Sequence, residues 1–211
     1  MKTFKQFILE SAPTDLDDFL QENCMPFFEE LGIDYTDAFG FPLYRGLAED
    51  GGQKIQMVVQ DEVKTCLIKT ARTNRQPRDT HSQLSDMADR LLKNRFAWKP
   101  RTESVFCYGE GGKSLSSDFG RLYQIVPIGE FRYVWSPDVR DFTNSMHRIL
   151  KGSNMKKRAK HDPYSPKELE QIKPYIEDLV ATYTDADLER AILGQAKEIM
   201  LGCKTYLAIP V

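Results

Sequence analysis

Glu198-Ile-Met-Leu-Gly-Cys-Lys-Thr-Tyr-Leu-Ala-Ile209 is the stretch that decides the fold. Two short apolar runs, Glu198–Leu201 and Thr205–Ile209, flank a Gly-Cys-Lys interruption. Apolar runs of this length bounded by breakers read as buried strands, so the spacing predicts two closing strands with a carboxylate at their head. Working outward, Leu122–Val126 and Phe131–Trp135 read as strands parted by Pro-Ile-Gly, and Ser104–Tyr108 as a strand running into the glycine loop Gly109–Gly112. Lys54–Val59 and Val63–Thr70 flank a turn at Asp61-Glu62, and Phe41–Leu47 is a short apolar strand interrupted by Arg45. Apolar residues at helical spacing predict helices over Leu16–Leu31, His81–Phe96 (Leu84, Met87, Leu91, Leu92), Asp138–Leu150, Pro166–Tyr183 and Ala186–Leu193. Helices early and late around several strands, without regular alternation, say α+β.

The chain has 211 residues, with 41% hydrophobic and 28% charged residues, enough for one domain with a sizeable core. No apolar run approaches the roughly 20 residues a bilayer span needs, so no membrane partner is expected. Four cysteines without a C-x-x-C pair and only three histidines argue against a disulfide framework or structural zinc. Net charge is −2, yet the charge is unevenly placed. From Ser11 to Asp50 there are ten acids and one base, Arg45, whereas Lys69–Arg101 holds nine bases against three acids. Lys151–Lys160 adds five bases and no acid. These basic stretches are either solvated faces or a positive region that receives phosphates, in a cofactor or a nucleic acid.

Gly109-Glu-Gly-Gly-Lys-Ser114 lacks the first glycine of a phosphate-binding P-loop, because Cys107 stands there. His81, His147 and His161 have no metal-ligand spacing, and no G-x-S-x-G elbow is present. Three strands carry a special residue instead. Leu43-Tyr44-Arg45-Gly46 puts an arginine in an apolar strand, where an unpaired charge is expensive. Arg101 through Gly109 is an aromatic strand entering a glycine loop, and Glu198 heads the late strand. Taken singly these read as an internal ion pair, a core strand and a strand-initiating acid.

Taken together, in this order and spacing, they resemble the mono-ADP-ribosyltransferase superfamily of the arginine–serine–glutamate type. That resemblance runs over residues 41–211 and implies a split mixed β-sheet core flanked by helices, with NAD as the ligand. It implies Glu198 as the catalytic carboxylate on the nicotinamide ribose and Arg45, beside Tyr44, at the diphosphate. The middle motif, usually a hydroxyl run, here reads Val105-Phe-Cys-Tyr108, so Cys107 or Tyr108 takes the hydroxyl's place or Ser104 serves from a shifted register. Tyr108, Phe119 or Tyr123 is the candidate aromatic face for nicotinamide, and Arg75 and Arg78 make either further phosphate contacts or surface ion pairs. The acceptor-orienting position two residues before Glu198 is Ala196, with Gln195 one residue further away. Both a catalyst and a non-catalytic relative fit that pattern.

The leader Met1-Lys-Thr-Phe-Lys-Gln-Phe-Ile-Leu-Glu10 is amphipathic and basic and lacks the apolar centre of a secretory signal. It resembles the capsid-targeting propeptide of internal head proteins in T4-like tailed phages, with Ile8-Leu9-Glu10 as the site cut by the prohead protease. The resemblance divides the chain into a propeptide (1–10), an acidic helical segment (11–40) and the ADP-ribosyltransferase-like domain (41–211), with maturation between Glu10 and Ser11. It implies a virion-packaged protein that enters the host cytoplasm with the DNA and there meets a host protein or nucleic-acid acceptor, or binds a host factor without catalysis.

Overall fold

The structure is a computed structural model and describes residues 13–47, 52–77, 79–114, 120–152, 162–194 and 198–211. The strands are β1 (Thr14–Asp15), β2 (Tyr44–Leu47), β3 (Gln53–Val59), β4 (Glu62–Thr70), β5 (Val105–Tyr108), β6 (Arg121–Trp135) and β7 (Glu198–Pro210). The helices are α1 (Leu16–Asn23), α2 (Met25–Leu31), α3 (Ser82–Phe96), α4 (Pro100–Glu103), α5 (Phe142–Gly152), α6 (Pro166–Ala181) and α7 (Leu188–Leu193), with a 3-10 turn at Tyr35–Gly40. The class is mixed helix and sheet, and no described helix is long and apolar enough to cross a membrane.

The sheet runs β1-β3-β4-β7-β5-β2-β6. It is mixed: β1 joins β3 in parallel, and the other pairings are antiparallel. Because β6 also pairs along β7, the strands β2, β5, β7 and β6 close on one another as a small barrel. The long strand β7 makes this closure. Its first half lies between β5 and β6, and its second half between β4 and β6.

The expected pairs Leu122–Val126 with Phe131–Trp135 and Glu198–Leu201 with Thr205–Ile209 are therefore each a single strand. The Pro-Ile-Gly between the two halves of β6 does not end it. Ile125 gives its N–H to Leu43, away from β7, and in an antiparallel ladder Pro127 shares that orientation, so its missing N–H removes no β7 bond. Gly129, at φ 70°, then takes the bulge that shifts register between Ile128 and Phe131. In β7, Gly202 is a close approach rather than a break: a Cβ there would lie 2.7 Å from the Trp98 ring. The expected helix over residues 16–31 is likewise two helices, α1 ending at Cys24 and α2 starting with Pro26 in its first turn.

Two cores flank the strands. One gathers Leu16, Leu20, Phe27, Phe28 and Leu31 of α1 and α2 with Met57, Cys107, Ile199 and Leu207, so the acidic N-terminal segment packs into the same core as the sheet. Fully burying a Leu or Phe side chain stabilises by about 1.5–3 kcal/mol. The other core joins α3, α5 and α6 to the opposite strand faces through Phe106, Val134 and Met200. Residues 106 and 107 on β5, and 199 and 200 on β7, thus alternate between the cores, as the period of two requires. All four cysteines are free.

Candidate active site

The even face of β5 and β7 builds a polar site inside the helix-covered core. Tyr44, Tyr108 and Glu198 form one row across the neighbouring strands β2, β5 and β7, since Tyr44 pairs with Tyr108 and Tyr108 with Glu198. Glu198 is 8% exposed, and its Oε1 accepts from Arg101 Nη1 at 3.5 Å. Burial pushes its carboxyl up from the ordinary 4.5 to about 7, against the pull of Arg101 and Arg75 and with a further push from Asp141. A carboxyl poised there changes protonation near neutrality.

In the sequence Arg101 reads only as the head of a strand. The structure places it in the four-residue helix α4, whose Pro100 start gives no periodicity to detect. Its backbone N–H, orphaned at the helix start, donates to Asp89 Oδ1 at 2.8 Å, and the Thr102 hydroxyl donates to Asp89 Oδ2. Its guanidinium stacks 3.6 Å from the Phe142 ring centroid, and Nε lies 3.5 Å from Ser85 Oγ. Asp89 is 3% exposed, and burial raises its pKa against the hydrogen bonds from Thr102 and Arg101. Ser85 and Asp89, four residues apart on one face of α3, are the signal that a polar network enters that core.

Arg75 lies over Phe106 at 3.8 Å, and its buried Nη1 has no hydrogen-bond partner. Burial, with repulsion from Arg45 and Arg101, lowers its pKa to about 10, while Glu198 and Tyr108 act in the other direction. Arg45, Arg75, Arg101, Tyr108 and Glu198 thus share one electrostatic neighbourhood. Tyr183 adds a buried hydroxyl without a partner, its pKa raised by burial and by Glu198.

The expected residues that the structure describes fall into three groups. Tyr44, Arg75, Tyr108 and Glu198 come together, and burial followed by the Glu110 hydrogen bond lifts the Tyr44 phenol to about 12. Arg45 stands one residue off the row, opposite Tyr123; its Nη1 donates to Phe106 O at 2.7 Å and its buried Nε is unpartnered. Cys107 and Ser104 stand apart from the row. Cys107 pairs with Ile199 in the other core, where burial raises its thiol to about 12. Ser104 caps the end of α4, four residues before Tyr108 and so roughly 13 Å along the strand, with its buried hydroxyl unpartnered. Phe119, Arg78, Glu10, Ser11, Gln195 and Ala196 lie outside the described residues. Among the described residues, no group of three or more His, Cys, Asp or Glu is arranged to hold a metal ion.

The chemistry of this site is that of a buried acid with a near-neutral pKa beside guanidinium groups with spare donors. Such a set binds an anion and stabilises developing positive charge at a neighbouring carbon. Compared with known proteins, the chain matches no family model, no curated protein and no solved structure.

Proposed function

We propose that the chain is an ADP-ribosyltransferase-like protein, with an ADP-ribosyltransferase-like split sheet, that takes NAD as substrate and transfers ADP-ribose to a host macromolecule. The observation that carries this reading is Glu198: a buried carboxylate heading the strand shared by both cores, with Arg101 on it and Arg75 beside it. The donor set suits a dinucleotide diphosphate, because Arg75 Nη1 and Arg45 Nε are buried N–H groups without partners.

In this reading Arg45 and Arg75 hold the diphosphate, and the Tyr108 ring offers a face to nicotinamide. Glu198, ionised, accepts the hydrogen bond of the ribose 2′-hydroxyl and stabilises positive charge at the anomeric carbon as the bond to nicotinamide breaks. Nicotinamide departs with the bonding electron pair as a neutral molecule. A nucleophile of the acceptor then bonds the anomeric carbon and gives up its proton. Arg101 competes with the ribose for Glu198, so it sets how readily the carboxylate engages.

The test is NAD turnover by the full chain, read as nicotinamide release. Glu198→Gln keeps the shape and removes the charge; turnover should fall about 10²-fold or more. Unchanged turnover in that variant would overturn the mechanism.

A second reading, a non-catalytic packaged protein that binds or inhibits a host factor, is favoured by the 8% exposure of Glu198 and its engagement by Arg101. Thermal unfolding with millimolar NAD separates the two, because a ligand of the native state raises apparent stability. Virion packaging, with cleavage after Glu10 and release into the host cytoplasm, is the remaining part of the proposal. Co-expression with a prohead protease should yield a chain whose first residue is Ser11.

A further inference from the structure

A cleft on another part of the molecule uses none of the residues grouped around Glu198. It encloses about 410 Å3 between α2, the end of α3 and the outer part of β6. Phe96, Trp98, Phe131 and Tyr133 supply aromatic surface, and Glu30, Glu130 and Asp185 supply carboxylates. The cation among its lining residues, Arg132, is already committed: it pairs with Glu103 at 3.2 Å and lies 4.4 Å from the Trp98 ring. Glu30 accepts the Tyr133 hydroxyl at 2.6 Å. Burial first, then Glu30 and Asp185, keeps that phenol protonated well above its ordinary range.

The strand beside the cleft has backbone groups that no described strand takes. Trp135 exchanges both backbone hydrogen bonds with Thr184, away from β7, and alternation turns the N–H and C=O of Tyr133 to the same side. Among the described residues no strand pairs with β6 on that edge between the β2 contact and Trp135. The bulge at Gly129 brings Glu130 and Phe131 to the cleft at the start of this open stretch.

We propose that this cleft docks a basic segment of a partner polypeptide, an arginine guanidinium entering among the aromatic rings and the carboxylates of Glu30, Glu130 and Asp185 while the segment's backbone adds to β6. A planar guanidinium suits both walls, stacking on the rings and donating to the acids. Main-chain pairing at an open strand edge supplies the rest of the recognition. Arg132 over Trp98 is the same pairing made within the chain.

The probe is an end-blocked pentapeptide, Thr-Val-Arg-Val-Thr, titrated into the isotope-labelled full chain. The Trp98 indole N–H and the Tyr133 amide are followed by NMR. Saturable shifts of both are expected, with binding roughly tenfold weaker when citrulline replaces arginine and when the exposed pair Glu130→Gln/Asp185→Asn is changed. Neither change touches Glu198, so NAD turnover should be unaltered, which separates failure here from failure of the enzymatic reading. Absence of saturable shifts at millimolar peptide, equal affinity for the citrulline peptide, or binding indifferent to the double substitution would each overturn the proposal.

Discussion

Helix α4 offers one side chain to each of two arginine–glutamate pairs, and the two pairs behave differently. Arg101 meets Glu198 at 3.5 Å with the side chains 8% and 9% exposed. Arg132 meets Glu103 at the shorter distance of 3.2 Å, but the side chains are 52% and 33% exposed. Distance alone would rank the second pair higher. Solvent reverses the order: water screens the outer pair, whereas the inner one keeps its field and its desolvation penalty. The inner carboxyl is accordingly displaced to about 7. A buried pair is a liability to stability that persists where the charge is put to use, and this difference is the main reason to read the inner pair as a functional site.

The comparison breaks most sharply at Arg101. Arg101→Leu leaves Glu198 buried without its partner and removes the stack on Phe142, and should cost about 3–5 kcal/mol at pH 8 by urea denaturation. The cost should shrink at pH 5, where Glu198 is protonated; a pH-independent loss would show that the charge is not what the arginine serves.

Glu198→Gln tests the same pair from the acid's side. The folded chain holds the Glu198 proton more tightly than the unfolded one, about 7 against 4.5. Between those values the folded state binds more protons, so this stabilisation is complete below about 4.5 and lost as pH rises through 7. Wild type should therefore lose up to about 3 kcal/mol relative to the glutamine variant over that range. Parallel pH profiles for the two proteins would contradict the burial effect.

Asp89→Asn removes a charged acceptor from the Arg101 N–H and the Thr102 hydroxyl. It should destabilise by about 1–3 kcal/mol and should move the Glu198 titration, because α4 is no longer anchored where it is. The smallest effect belongs to the outer pair. Arg132→Lys retains the charge and should change stability by less than about 1 kcal/mol in the same denaturation experiment.

The strands and longer helices were legible where local pattern and tertiary context agree. The strands of the β3–β4 hairpin are legible to within one residue at either end, its turn falling at Gln60 and Asp61, both at positive φ, rather than at Asp61-Glu62. Helix α3 emerges from Leu84, Met87, Leu91 and Leu92, with His81 as its N-cap. Continuity of β6 and β7 was not legible. Pro127, Gly129 and Gly202 are local breakers whose acceptance depends on which way an N–H points, where a bulge falls and what ring lies across a glycine. Glu198 stood out as an acid heading an apolar strand. Its alignment with Tyr108 and Tyr44 rather than Cys107 follows from strand register, which no single segment encodes. Arg101 was hidden because a four-residue helix is barely one turn, too short for a 3.6-residue period to repeat.

Carboxyl-carbon NMR titration of Glu198, assigned by its absence in Glu198→Gln and repeated with saturating NAD, tests the central claim most directly. The predicted midpoint is about 7 in the free chain, displaced when NAD is added. A midpoint at the ordinary glutamate value, indifferent to NAD, would contradict both the buried pair and the function built on it.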